Sequence, residues 1–101
     1  MVDFILRVTL VSDDGSQWCG NVQREVDSET DAWEPISFPS FRQAELASLA
    51  MTKDPSKVLV DRVEVATQLD PECMLDKRIS TIEVIARVER VMQTRTVNKP
   101  L

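Results

Sequence analysis

Apolar and polar residues alternate along the start of the chain. Phe4, Leu6, Val8 and Leu10 fall on one face of an extended segment, and Ile5, Arg7, Thr9 and Val11 on the other. That period of two belongs to a half-buried strand. Ser12-Asp13-Asp14-Gly15-Ser16 follows, a polar stretch with glycine where a positive φ is wanted, so a hairpin is expected. The return strand is read over 17–26. It places Trp18, Val22 and Val26 on one face with Gly20 among them, which points to a bulge or a close packing contact.

Residues 27–39 break the alternation. Acids come first, then Trp33, Ile36 and Phe38 separated by Pro35 and Pro39, and the two prolines predict a long loop with apolar anchors. Ser40, with Gln43 three residues on, forms a capping box and opens a helix. Ala44, Ala47 and Met51 line its inner face, Leu46 and Ala50 extend that face, and Asp54-Pro55 ends the helix. The valine-rich run 57–69 predicts a third strand, closed by Asp70-Pro71. Residues 79–92 suit a strand, with Ile82, Val84, Ala86 and Val88 on one face. They also suit a helix capped by Ser80 and Glu83, and the density of β-branched residues favours the strand. Residues 94–101 read as a flexible tail.

The pattern predicts an α+β fold. A small antiparallel sheet, ββαββ or else ββαβα, carries one alanine-rich helix packed on one face. One domain spans 1–101, with no internal repeat. Hydrophobic residues make up 43% of the chain and charged residues 29%, proportions of a globular domain rather than a disordered one. No apolar run approaches the roughly 18 residues of a membrane span, and the N-terminus lacks the basic lead-in of a signal peptide. A cytoplasmic location is expected. Cys19 and Cys73 form no CxxC pair and are expected to be free thiols packed as small apolar residues.

The chain has no histidine and only 2 glycines, which removes the commonest general base and metal ligand and leaves no phosphate-cradling loop. No catalytic, cofactor-binding or metal-binding residue is therefore assigned, and no cofactor is expected. Asp13-Asp14 is read as a solvated turn. The acids Asp27, Glu29, Asp31 and Glu34 lack the glycine and ligand order of a calcium loop.

Net charge is −5, unevenly spread. Asp13 to Glu34 holds seven acids against Arg24, a net of −6, whereas Lys77 to the end holds six bases and two acids, a net of +4. Overall acidity, and a basic end with no interleaved aromatic residues, make direct nucleic-acid binding unfavourable. Trp33 among carboxylates is instead a candidate hot spot for a basic protein, within a partner-binding set of Asp27, Glu29, Asp31, Trp33, Glu34, Ile36 and Phe38. The competing reading folds Trp33, Ile36 and Phe38 back as a lid over a sheet edge. One helix cannot cover both sheet faces. Ile5, Val11, Ile85 and Val91 would then leave an apolar patch suited to homodimerisation.

The layout of a DDG hairpin, a helix written AELASLAM and a VEV strand resembles that of many small accessory proteins of phages and mobile elements, anti-CRISPR inhibitors among them. It carries no specific motif, and no functional residue follows from it. The expected function is a non-enzymatic protein-binding module: an adaptor, an assembly subunit or an inhibitor. An acidic inhibitor of a bacterial nucleic-acid-binding enzyme or defence complex, and a carboxylate-based small-molecule binder, are the alternatives.

Overall fold

The computed structural model describes residues 2–88. Residues 89–92 of the last expected element and the expected tail at 94–101 lie outside that range. The elements, in order, are β1 (Val2–Ser12), β2 (Gln17–Asn21), β3 (Gln23–Asp27), β4 (Ala32–Pro35), β5 (Ser37–Phe38), α1 (Phe41–Met51), β6 (Lys57–Val60), β7 (Val63–Ala66) and β8 (Lys77–Val88). The fold is α+β, as expected from the pattern: antiparallel sheets and one helix.

β1 is the spine of the main sheet. β8 pairs along one edge of it, Val2 opposite Val88 through Ser12 opposite Lys77, with an irregularity at Thr9/Leu10 that leaves Ser80 as the extra residue. The other edge is shared by β2, which pairs with Arg7 to Val11, and β5, which pairs with Phe4 and Ile5. The β1–β2 turn closes as expected. Gly15 takes φ 89° and donates to Ser12 O at 3.0 Å, while the Asp14 carboxylate accepts from Ser16 N and Oγ at 2.9 and 2.7 Å. These bonds hold the Asp14 carboxyl below its usual range.

Two expected elements are divided differently. The return strand 17–26 bends at Val22 into β2 and β3, and residues 27–39, expected to be a loop, form a turn followed by β4 and β5. Pro35 closes β4 and Pro39 follows β5, so the prolines bracket short strands instead of breaking a long one. Val22 N donates to Leu6 O at 2.8 Å and Ile36 N to Val22 O at 3.0 Å, which carries the pairing through both bends. Val22 and Ile36 are buried at 0% and 1% exposure, and beyond them β3 and β4 leave the sheet as a separate hairpin arm. Gln68 braces this waist. Its side-chain amide donates to Asn21 O at 2.9 Å and its side-chain oxygen accepts from Gln23 N; its backbone N donates to Gln23 O at 3.3 Å.

The run 57–69 is likewise a hairpin and not one strand. β6 and β7 join through Asp61-Arg62, both at positive φ (49° and 68°), as a two-residue type I′ turn requires. Val58 lies opposite Val65 and Val60 opposite Val63, so four valines share one face, with Val58 in the core and Val63 exposed at the tip. Buried Thr67 fastens the hairpin's exit. Its hydroxyl donates to Pro55 O at 2.6 Å and accepts from Leu69 N at 3.1 Å.

The core lies between one sheet face and α1. Leu6, Val8 and Leu10 of β1 meet Ala44, Ala47 and Met51 of the helix, with Val22, Ile36, Phe38, Val58 and Leu69 closing the sides. Each large side chain fully buried there contributes about 1.5–3 kcal/mol. Ser40 Oγ accepts from Gln43 N at 3.2 Å and caps α1. Leu46 and Ala50 do not extend the buried face: at about 100° per residue both lie roughly a quarter turn or more from the Ala44, Ala47 and Met51 stripe, and both are exposed, beside an open depression between α1 and β6.

Candidate functional site

The feature that stands out from this framework is the arm. Its register places Glu25 opposite Trp33 and Arg24 opposite Glu34. Arg24 reaches Glu34 at 2.8 Å on one face, next to the valine face of the second hairpin, and this pair neutralises Glu34. On the other face Trp33, 39% exposed, has Glu25 across the ladder and donates its indole N–H to Asp31 at 3.0 Å. Asp31 adopts φ 54°, a turn conformation that aspartate tolerates. Asp27 accepts from Glu29 N at 3.0 Å, and both side chains stand in solvent.

The expected partner-binding set therefore divides. Asp27, Glu29, Asp31, Trp33 and Glu34 come together on the exposed arm, whereas Ile36 and Phe38, each 1% exposed, belong to the core and cannot meet a partner in this fold. Spacing alone could not separate these aromatic and apolar residues, because the bend at Ile36 turns the chain from arm to core within three residues. Two arm residues were not picked out from the sequence. Glu25 is identified only by its register with Trp33, and Val26, 49% exposed, was placed on a strand face with Val22 that the bend disrupts.

The chemistry available at the arm is recognition. An amphipathic indole flanked by carboxylates can receive a lysine or arginine side chain by cation–π contact and ion pairing together. The acids do not converge: Asp27 holds a backbone amide, Asp31 an indole and Glu34 a guanidinium. Among the described residues no group of three or more His, Cys, Asp or Glu side chains gathers as a metal site would need.

Elsewhere the surface is shallow. One depression runs between α1 and β8, lined by Leu49, Met74, Ile79 and Ile82; another lies between α1 and β6, with Leu46 and Leu59 over Asp61 and Arg62. The uncovered sheet face is not the apolar patch expected. Ile5 is buried at 6% and Val11 and Ile85 are half-buried. Between them stand cross-strand pairs: Asp3 with Arg87, Arg7 with Glu83, and Thr9 with Thr81. Val91 lies outside the described residues. Arg87 grips Asp3 with two hydrogen bonds, 3.0 and 2.7 Å, which lower the Asp3 carboxyl and raise the guanidinium from their ordinary values.

Both cysteines are exposed, not packed as expected. The Asp70 carboxylate beside Cys73 pushes that thiol upward, disfavouring the thiolate. No helix among the described residues is long and apolar enough to cross a membrane. Compared with known protein families, with curated proteins and with solved structures, the chain matches none.

Proposed function

We propose that this chain is a non-enzymatic protein-binding module whose contact surface is the β3–β4 arm and whose partner presents basic side chains. The observation that carries the reading is Trp33: a large aromatic side chain held out on a projecting hairpin, oriented by Asp31 and faced by Glu25. Trp33 keeps 39% of its surface open on the arm, apolar area that a partner would cover, and interfaces favour such residues. Unpaired acids around it speed the encounter with a basic surface.

The experiment compares partner capture from the native host by the wild-type chain, by Trp33→Ala, and by Glu25→Lys/Asp27→Lys. The expected outcome is one captured protein lost with both variants while the melting temperature stays within a few degrees. Capture that survives both variants overturns the reading. A partner that is released steeply by salt and competes with DNA or RNA identifies the chain as an inhibitor seated in a nucleic-acid groove.

A further inference from the structure

β8 has a strand partner on one side only: β1 pairs along its whole length, and among the described residues no strand pairs with its other edge. Backbone polar groups alternate sides along a strand. On β1 the even-numbered residues face β2, since Val22 N donates to Leu6 O and Ser12 N to Ser16 O. The odd residues of β1 therefore bond β8. Because Ile5 lies opposite Ile85, the odd residues Thr81 to Arg87 bond back. Ile82, Val84, Ala86 and Val88 are left with N–H and C=O groups pointing off the edge. This stretch contains no proline, and the sole irregularity of β8 falls before it, at Ser80. Neither proline nor a bulge blunts residues 82–88, and the only charged side chains there, Glu83 and Arg87, are of opposite sign.

We infer that a second copy of this chain adds to this edge, antiparallel, about a two-fold axis at Ile85. The free groups lie on even residues, so only a register pairing even with even can satisfy them. Registers centred on Val84 or Ala86 also pair even with even, but they set Glu83 or Arg87 opposite Ile85 and leave the charge unmatched; one centred on Glu83 sets that carboxylate against itself, and one centred on Arg87 does the same for the guanidinium. Centred on Ile85, Glu83 faces Arg87 of the second copy at both ends and Ile85 faces Ile85. The charges then extend a ladder already present in one copy, where Asp3 lies opposite Arg87 and Arg7 opposite Glu83. Across the seam each row runs Asp3, Arg87, then Glu83 and Arg7 of the second copy, alternating in sign at every step. Ile5 and Ile85 of both copies form the row between. On the helix side, Leu49, 60% exposed, lines the depression between α1 and β8, and Phe41, 53% exposed, packs edge-on against Phe4, whose cross-strand partner is Ala86: apolar area that a neighbouring copy would cover. This inference is independent of the arm.

Light scattering on the full chain at tens of micromolar is expected to give twice the 11.5 kDa monomer mass. In a Cys19→Ser/Cys73→Ser background, Ile85→Cys should cross-link to itself on mild oxidation, because residues opposite one another in a non-hydrogen-bonded pair lie about 4.5 Å apart. Glu83→Cys, two residues off the axis, should not. Glu83→Arg and Arg87→Glu should each be monomeric alone and recover the dimer mass when mixed, each supplying the sign the other lacks. Ala86→Pro, which removes only an outward donor, should give a folded monomer if Arg87→Glu fails to fold. A monomeric wild-type chain overturns the inference, even if the even-numbered β8 amides exchange slowly, since another strand then covers the edge. Equal cross-linking at positions 83 and 85, or a dimer that survives Glu83→Arg, overturns it too.

Discussion

Single residues at the turns separate what could be read from the chain from what could not. Gly15 announces its hairpin, because only glycine adopts φ 89° without strain, and nothing crowds its missing side chain. The Asp61-Arg62 turn gives no such sign: neither residue is glycine or asparagine, so a valine-rich run conceals a reversal. An arginine at φ 68° costs about 1 kcal/mol in backbone strain. Arg62→Gly relieves that strain but frees the unfolded chain by about 0.4–1 kcal/mol, so a net stabilisation of at most about 0.6 kcal/mol is expected, visible as a melting temperature a few degrees higher. Cys73 offers a second test. Its thiol is raised by the Asp70 carboxylate, so below the raised value it stays protonated and unreactive. Asp70→Asn should lower it and speed alkylation at mildly alkaline pH, measured by mass spectrometry.

At the scale of elements, the first strand, the first turn and the helix were legible because each announces itself locally: alternation over β1, glycine at Gly15, and Ser40 before an alanine face. Ser40→Ala should cost about 1 kcal/mol through the lost Gln43 bond, read from denaturant unfolding. The bends at Val22 and Ile36 were not legible. The first is braced by Gln68, 46 positions beyond Val22 in the chain, and the second by the bond from Ile36 N to Val22 O, and no local pattern connects either pair. Removing its side chain by Gln68→Ala leaves Asn21 O and Gln23 N without that partner. A loss of about 2 kcal/mol is expected, with faster hydrogen exchange concentrated at residues 21–23.

For the molecule as a whole, counting charges along the chain suggests opposite acidic and basic ends, yet each base of the basic end that lies among the described residues meets an acid. Arg87 holds Asp3 at 2.7 Å, Lys77 holds Asp76 at 3.1 Å, and Arg78 approaches Asp13 at 3.9 Å. The arm keeps its carboxylates largely unmatched, so the candidate site was visible as an acidic stretch while its geometry was not. Asp3 is the acid whose pairing most affects stability, because Arg87 binds it twice and both side chains are less than one-third exposed. Its carboxyl is depressed by that contact, so the contribution is complete above the ordinary carboxylate range and disappears as pH falls through the lowered value. Asp3→Asn should cost about 0.5–1 kcal/mol at neutral pH and almost nothing in strong acid, where the parent has lost the same interaction; paired melting curves across pH would show the two converge. The waist at Val22 and Ile36 has a mechanical meaning as well. No slack loop isolates the projecting hairpin from the body, since its two strands continue directly into those of the central sheet. Whatever grips the tip thereby clamps the whole fold, and its capture should register as a rise in global melting temperature and not as the quieting of a local flap.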